Sequence, residues 1–382
     1  MLEPMDLDTL LRLLQDETII LPPDVLYRLS DLGPDEAQAV AEVWPKLSPA
    51  RRRGLVEDMH DLLEMSHQFS FLEMGRIALQ DPDPYIRHKA IEILWFEDDP
   101  HLIPLLLTRL REDPDEQVRA TAAAALGDYV FQGEVDELPE WQHRPVVEAL
   151  LEALADDDEG ATVRYRALEA VSYASSVPEV REWIERVYRQ SLAADDEDGL
   201  RAALFAMGRS ADPHWTQYVV LHLHDVRPSV RAEAALAAGR LEMTRVIPDL
   251  LHLLEDPNKY VRMAAATALS DLGGANEQVA RALRKALRRA EDEEEAQVMA
   301  EALDNYDFQT SLVLGNLDLL DLTLKAGDTD LLEVQLPDGV ALERLNGDAE
   351  DHTPAANGVA DVSSDAGPED GDESATPRGD AS

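Results

Sequence analysis

Residues 225–239 read DVRPSVRAEAALAAG, and residues 256–270 read DPNKYVRMAAATALS. Each stretch begins with Asp, has an aliphatic residue and Arg as its sixth and seventh letters, and then becomes rich in alanine. Asp is well suited to a turn and to capping the helix that follows it, and alanine is the best helix former. Because alanine side chains are short, a second helix can approach such a helix closely. Each stretch therefore predicts a capped helix that packs tightly against a neighbour.

The same pattern occurs six times along the chain. Its anchors, an Asp followed six residues later by an Arg, are Asp81 and Arg87, Asp113 and Arg119, Asp158 and Arg164, Asp195 and Arg201, Asp225 and Arg231, and Asp256 and Arg262. Successive anchor arginines lie 32, 45, 37, 30 and 31 residues apart. A second stretch with helical apolar spacing follows within each unit, most clearly IPDLLHLL at residues 247–254. Two-helix units of this length bury their apolar stripes by stacking, so the sequence predicts an all-α solenoid.

The recurring pattern also has an electrostatic side. The Arg of each anchor lies beside the residues that pack between helices, where it can reach the Asp of its own or an adjacent unit. We therefore expect a ladder of paired charges along the stack. Glycines close several of the first helices, at Gly127, Gly208, Gly239 and Gly273, and a left-handed C-cap is expected at each.

These features resemble the HEAT-repeat proteins, in particular the compact bacterial type described as phycobilisome-lyase-like. The matching residues are the Asp-x4-aliphatic-Arg-x2-Ala anchors, Leu126-Gly127, Ala238-Gly239 and the Ile-Pro-x-Leu start of the second helix. The resemblance covers residues 69–290 and implies an α-solenoid (superhelix) of stacked two-helix repeats. It says almost nothing about function.

The sequence divides into four regions. Residues 1–68 lack the anchor but predict amphipathic helices over 6–15, 23–31, 34–46 and 49–66, which would form a degenerate N-terminal cap. The repeat array spans 69–306, carries an insertion at 128–144 between the two helices of one unit, and ends with a helix over 293–306. The last two regions are a leucine-rich segment without helical spacing at 307–346 and an acidic tail at 347–382, for which disorder is predicted.

Composition narrows the possible partners. The chain has 78 Asp and Glu against 34 Lys and Arg, giving a net charge of −44, and its 45% hydrophobic residues are ordinary for a globular protein. Such acidity disfavours nucleic acid and anionic membranes and favours a basic partner protein. The absence of cysteine from the sequence excludes disulfides and thiol chemistry. We find neither a signal peptide nor a long apolar run, and we predict a cytoplasmic protein.

No catalytic, cofactor-binding or metal-ligating residue is predicted, and no cofactor is expected. Deoxyhypusine hydroxylase, a HEAT-type enzyme, holds two irons through His-Glu dipeptides, and this sequence contains no such dipeptide. His222 and His224 are two residues apart, so on a helix they point to different faces and would not share an ion. His60 and His67 could share a face, but no set of carboxylates converges with them in the sequence.

Two groups of basic residues invite an anion-binding interpretation. Residues 281–289 contain four arginines and Lys285, and the acidic run at 291–295 follows directly. We expect a solvated face neutralised by that run. The same interpretation is given to Arg51, Arg52 and Arg53 at the start of a helix.

Tryptophans provide a further candidate contact. Trp95 and Trp183 have apolar neighbours at helical spacing and are predicted to be core residues. Trp141 lies among polar residues in the insertion, and it is a candidate contact for a partner, with packing against adjacent helices as the alternative.

The function predicted from these observations is that of a non-enzymatic scaffold or adaptor that binds a basic partner protein along its stacked second helices. A HEAT-type enzyme or a chromophore-handling protein, like the phycobilin lyases, is the alternative. A third possibility is an assembly or stress factor whose tail acts as a solubiliser. The sequence does not predict the oligomeric state.

Overall fold

The chain is all-α in the computed structural model, as predicted, and the structure describes residues 5–66, 68–274 and 276–325. The helices of this part are α1 (Leu7–Gln15), α2 (Pro23–Leu29), α3 (Pro34–Val43), α4 (Pro49–Met65), α5 (Leu72–Ala78), α6 (Pro84–Leu94), α7 (Ile103–Glu112), α8 (Glu116–Glu134), α9 (Glu140–Ala155), α10 (Ala161–Val171), α11 (Pro178–Ala194), α12 (Glu197–Arg209), α13 (Thr216–His222), α14 (Pro228–Arg240), α15 (Ile247–Leu253), α16 (Lys259–Leu272), α17 (Glu277–Leu287) and α18 (Glu293–Lys325).

The helices are stacked as a solenoid. The first helices of successive units contact one another in chain order, from α4 through α6, α8, α10, α12, α14 and α16 to α18. The second helices, α5, α7, α9, α11, α13, α15 and α17, each pack against the first helix that follows them. One continuous apolar core runs along this stack. The helices α1 to α4 lie where the N-terminal cap is predicted.

Three of the four predicted glycine C-caps are wrong. Gly127, Gly208 and Gly239 lie inside α8, α12 and α14 rather than at left-handed ends. The left-handed positions after α12 and α14 are taken by Ala211 and Glu242, with φ values of 50° and 52°. Gly273 alone of the four caps its helix, α16, with a positive φ of 56°, but its ψ of −154° lies outside the left-handed helical region.

The internal glycines serve close helix packing instead. A Cβ added at Gly208 would lie 2.7 Å from the Cα of Ala237, and one at Gly239 would lie 2.9 Å from the Cα of Ala268. Real Cβ atoms do not approach backbone this closely. The first helices thus touch backbone to backbone at these positions, which explains why glycine occurs inside them.

The predicted insertion is mostly helical. Helix α8 continues through residues 128–134 and α9 begins at Glu140, so only residues 135–139 connect the two helices. Asp136 makes the turn with a φ of 61°. The extra residues therefore lengthen both helices of their unit and place their polar side chains on helix surfaces.

The last helix extends beyond its prediction. Helix α18 runs from Glu293 to Lys325, so residues 307–325 of the leucine-rich segment are helical. Tyr306 is 1% exposed and fastens α18 to the preceding turn, since its hydroxyl accepts from the backbone N–H of Asn276 at 2.8 Å. The remainder of that segment, 326–346, and the predicted acidic tail, 347–382, lie outside the described residues.

Candidate functional site

Charge pairs connect neighbouring first helices. Arg87 Nε and Nη2 donate to the Asp113 carboxylate of the next unit at 2.7 and 2.6 Å, and Nη1 donates to the backbone carbonyl of Asp81 at 2.9 Å. Arg231 binds Asp256 in the same bidentate way, at 2.9 and 3.0 Å. Each of these arginines therefore holds its own turn by the backbone and the next unit by a carboxylate, which is the pairing expected from the anchors. We call this series the charge ladder.

Glutamate replaces aspartate in two further rungs. Arg119 donates to both oxygens of Glu159 at 2.8 Å, so Asp158, the anchor predicted for that unit, is not its partner. Arg262 donates to Glu295 of α18 at 2.6 and 2.9 Å. A glutamate has a longer side chain than an aspartate, so it can reach an anchor arginine from a different position in the sequence. A sequence pattern that contains only Asp does not predict these pairs.

The ladder extends into the N-terminal cap. Arg52 is 7% exposed and lies 3.0 Å from the Asp81 carboxylate, which also accepts from the indole N–H of Trp44 at 2.8 Å. The interpretation of Arg52 as part of a solvated face is therefore wrong. The aliphatic residue of the anchor is missing before it, and only its spacing of 35 residues from Arg87 marks it in the sequence.

Two of the predicted anchors form no rung. The Nε atom of Arg164 is buried without a hydrogen-bond partner. Arg201 is 3.5 Å from Asp198 on its own helix, with 45% of its side chain exposed. Asp195 adopts a left-handed φ of 54° at the end of α11 and pairs with Arg227 at 3.1 Å. Within the described chain, the buried rungs are thus interrupted between α10 and α14, where the exposed Asp195 is joined to the next unit only by Arg227.

Burial and hydrogen bonding have opposite effects on the pKa of the ladder's carboxylates. Burial favours the neutral form of Asp113, but hydrogen bonds from Arg87, the backbone and Arg109 outweigh it and lower the pKa of this carboxyl. The pKa of Arg87 is raised, chiefly by its hydrogen bond to Asp113. Both partners are therefore charged at neutral pH. We assign a structural role to the ladder.

A separate feature lies where α6 and α8 end. It is a cavity of about 290 Å³, which we call the acidic cleft, and its lining residues are Ile91, Leu94, Trp95, Phe96, Glu97, Asp98, Leu106, Ala125, Asp128, Tyr129, Phe131, Gln132 and Glu137. Four of them are acidic, four are aromatic, and none is basic. Because apolar walls exclude water, negative charges in such a cleft produce a stronger field than they would on an open surface.

The aromatic walls of the acidic cleft are fixed in place. Trp95 is 44% exposed, and its indole N–H donates to the Asp128 carboxylate. Phe131 is 45% exposed, and its ring packs on Tyr173 with centroids 5.1 Å apart. The prediction that Trp95 belongs to the core is therefore wrong: the residue lies at the end of its helix, where the ring borders the cleft.

The carboxylates of the cleft are held mainly by neutral donors. Asp98 accepts from Gln132 at 3.0 Å, and Glu97 accepts from the Ser70 hydroxyl at 2.9 Å. Burial raises the pKa of Glu97, and its hydrogen bonds only partly oppose this. Glu137 has no side-chain hydrogen bond or ion pair within the residues described. None of the four carboxylates forms an ion pair within 4 Å in this part of the chain, although Arg209 lies near enough to Asp128 to interact with its charge.

His222 and His224 do not form a shared metal site. His222 is buried and interacts with the Tyr188 hydroxyl at 2.9 Å and with Asp225 at 3.1 Å, whereas the exposed His224 lies 3.2 Å from Asp249. The pKa of Asp225 is strongly lowered, first by its hydrogen bond from Arg227. The two neighbouring imidazoles thus have different partners.

Carboxylates do lie near the other histidine that the sequence singles out. The Nδ1 atom of His60 is 4.0 Å from both Asp61 and Glu64, on the same helix, and the three could hold a metal ion. The spacing of His60 and His67 does not predict this set, because its carboxylates lie beside His60 alone. His67 lies outside the described residues.

Four of the five basic residues at 281–289 form ion pairs, but not with the expected run. Arg284 pairs with Asp307 at 3.2 Å, and Lys285 pairs with Glu255 at 2.5 Å. The run at 291–295 instead receives Lys259 and Arg262 from α16. The basic face at 281–289 is thus solvated and paired, as predicted. The prediction that the run at 291–295 would neutralise it was wrong.

Trp141 and Trp183 differ in their surroundings. Trp141 lies in the first turn of α9 with 73% of its surface exposed, so packing against adjacent helices does not bury it. As a contact for a partner it remains a prediction. Trp183 packs partly against the core, with the Arg186 guanidinium 4.2 Å from its ring centroid.

An open groove between α12, α14 and α16 contains another buried acid. Burial raises the pKa of Glu233, which lies 3.5 Å from Arg240 and borders this groove. The residue before it is Ala232, so no imidazole accompanies this carboxylate. Arg201 also lines the groove, which distinguishes it from the acidic cleft.

Comparison with known families matches a model described as HEAT repeats to residues 74–172 and 216–304. The unmatched interval contains Asp195 and Arg201, where the charge ladder is interrupted.

Two curated proteins similar to this chain are both deoxyhypusine hydroxylases. The protein of Eremothecium gossypii is 28% identical over 209 residues, 48% of this chain and 62% of the relative. The protein of Phaeosphaeria nodorum is 26% identical over 220 residues, 51% of this chain and 67% of the relative. The chain thus spans less than two thirds of the first relative's length. These relatives do not support the expected likeness to the phycobilisome-lyase-like type.

Among solved structures, yeast importin-beta (Kap95p) is similar to this chain at a TM-score of 0.47 and 16% identity, over 85% of this chain and 50% of that one. A search of the described helices for a membrane span finds none of sufficient length and apolarity.

Proposed function

We propose that this chain, which is a HEAT-repeat protein, is a non-enzymatic cytoplasmic scaffold that holds a partner protein through a basic segment. The acidic cleft is the observation that carries the proposal. Its four carboxylates and four aromatic rings face a cavity that contains no basic residue. A basic segment supplies the missing counter-charge, and its apolar stems can pack on the aromatic walls.

The net charge of −44 supports the same partner chemistry. Long-range attraction raises the rate at which a basic protein meets such a surface, and salt screens it over about 10 Å at 0.1 M ionic strength. Duplex nucleic acid is disfavoured for the same reason, because its phosphates would be repelled. The exposed ring of Trp141 offers a second contact in the same repeat unit.

The second candidate is a HEAT-type enzyme. Its support is the similarity to deoxyhypusine hydroxylases, at 28% identity over 209 residues. The residues against it are those at the positions where this resemblance implies His-Glu dipeptides, which read His88-Lys89, Ala232-Glu233 and Met263-Ala264. A complete pair of imidazole and carboxylate is present at none of them. No feature of the described chain favours the chromophore-handling alternative.

Affinity capture from native lysate tests the scaffold. We expect a basic partner to be retained at about 50 mM salt and released at about 500 mM, because screening weakens attraction between exposed charges. Retention that does not change with salt, or no retained protein, would contradict the proposal. Measurement of metal content in the purified protein tests the second candidate, since stoichiometric iron would favour the enzyme over the scaffold.

A further inference from the structure

We infer that the acidic cleft binds one arginine side chain of the partner protein. The inference rests on the proposed function in one respect, which is that a partner supplies the arginine. The cleft itself is defined by the ends of α6 and α8, and its occupant is deduced from the geometry and chemistry of its walls.

Size is the first argument. The cavity measures about 290 Å³, at the lower end of the range for ligand pockets, which is about 300–1,000 Å³. A space of this size suits one long side chain better than a folded element or a large cofactor. The partner therefore inserts a single residue and makes its other contacts outside the cleft.

Charge is the second argument. Glu97, Asp98, Asp128 and Glu137 line the cavity, and none of them has an ion-pair partner within 4 Å in the residues described. Asp98, Asp128 and Glu137 are exposed, whereas the buried carboxylates Asp81 and Asp113 are neutralised by arginines. The cleft thus presents a local excess of negative charge, which a cation from outside would balance.

The aromatic walls favour arginine over lysine. Trp95 and Phe131 each leave close to half of their surface exposed, and both rings are held by neighbours, Trp95 by Asp128 and Phe131 by Tyr173. A planar guanidinium stacks on such rings and offers paired donors to carboxylates. A lysine ammonium is a compact, strongly hydrated charge that uses neither feature as well.

The experiment uses the full chain and two short probes, acetyl-Gly-Arg-Gly-amide and acetyl-Gly-Lys-Gly-amide. Binding is followed by NMR at the indole N–H of Trp95, which is assigned with the Trp95→Phe variant, and at the indole N–H of Trp141. We expect the arginine probe to shift the Trp95 resonance in a saturable manner. The lysine probe should bind at least about threefold more weakly, and the Trp141 resonance should move less.

Matched variants separate the cleft from general charge attraction. Glu137→Gln removes an unpaired carboxylate of the cleft, and Glu182→Gln makes the same change on the exposed face of α11. Phe131→Ala removes a wall, and Phe308→Ala removes an exposed phenyl ring of α18. We expect each cleft variant to weaken arginine binding about two- to fivefold, a size typical of single cation–π and exposed charge contacts, and each control to leave it unchanged.

Two results would overturn the inference: equal binding of the two probes, or a loss of affinity that is the same in Glu182→Gln as in Glu137→Gln. The lysate capture separates this failure from that of the scaffold. If the arginine probe does not bind the cleft but the salt-sensitive partner is still captured, the arginine site is wrong and the scaffold stands. If the arginine probe binds the cleft but no partner is captured, the scaffold is wrong and the site stands.

Discussion

At the scale of single residues, the ladder pairs are buried ion pairs. Such a pair stabilises the folded protein only while both partners are present. Arg87 and Asp113 have 7% and 0% of their side chains exposed. Replacing Arg87 by Ala leaves the Asp113 carboxylate buried without its bidentate partner. Because Arg109 remains 3.2 Å from Asp113, we expect Arg87→Ala to lower the free energy of unfolding by about 2–3 kcal/mol, as measured by urea denaturation.

Arg201→Ala is the matched control for that substitution. It also removes an anchor arginine from a first helix, but this side chain is 45% exposed and its partner is on the same helix. We expect a change of at most about 0.5 kcal/mol. Equal destabilisation by the two substitutions would show that burial of the ion pair is not what matters.

The lowered pKa of Asp113 gives stability a definite pH dependence. The folded state binds its proton less readily than the unfolded chain, whose Asp pKa is about 3.9, so the contribution is complete above that pH and is lost as pH falls towards the lower folded pKa. We expect the difference in unfolding free energy between the wild type and Asp113→Asn to shrink as the pH is lowered from 7 to 3. A difference that is constant over this range would refute the linkage.

The sequence predicts these pairs only where chemistry and spacing both follow the pattern. Arg87 and Arg231 could be placed from the sequence because the partner is Asp at the anchor position. Arg52 could not, because its helix lacks the aliphatic residue, and Glu159 could not, because it follows the expected Asp158 by one position. Side-chain reach compensates for shifts of one residue, and a motif search does not allow for that.

At the scale of helices, the closest contacts are made by glycine. A Cβ at Gly208 would lie 2.7 Å from the Cα of Ala237, which belongs to the backbone and cannot turn aside. Gly208→Ala should therefore destabilise the protein by about 1–3 kcal/mol through overpacking, even though alanine favours the helical conformation by about 1 kcal/mol. Thermal or urea unfolding measures the change.

Gly54→Ala provides the opposite case within helix α4. A Cβ there would meet no atom within 4 Å, so only the gain in helix propensity remains. We expect a stabilisation of about 0.5–1 kcal/mol. If Gly54→Ala and Gly208→Ala were both stabilising, the close approach of α12 to α14 would be disproved.

Helix positions could be predicted from the sequence more reliably than helix ends. The stacked first helices follow from alanine-rich anchors, but the glycines within them were assigned to caps, because a cap and a close contact both favour glycine. Similarly, the residues at 128–134 were assigned to an insertion, yet they continue α8, and Tyr129 and Val130 are buried. The acidic cleft arises at that extension, so its rings and carboxylates could not be brought together from the sequence.

At the scale of the whole described chain, the interruption of the ladder leaves two parts of the solenoid in which buried ion pairs join neighbouring units. Paired rungs join α4, α6, α8 and the turn before α10, and others join α14, α16 and α18. Between them, Arg164 and Arg201 make no pairing across units. In a stack that is stabilised by contacts between neighbours, local opening is easiest where an interface has lost a contribution.

We therefore expect amide hydrogen exchange, measured by mass spectrometry, to be faster in α11 to α13 than in α6 to α8 or α14 to α16. Arg231→Ala breaks an intact rung and should speed exchange in α14 to α16, whereas Arg201→Ala should leave the pattern as it is, because that arginine joins no two units. Uniform protection along the stack would contradict this view. The expected result, faster exchange confined to α11 to α13, would mean that the solenoid opens most easily there. Such a region would let the two ion-paired parts of the solenoid adjust to a partner held at the acidic cleft.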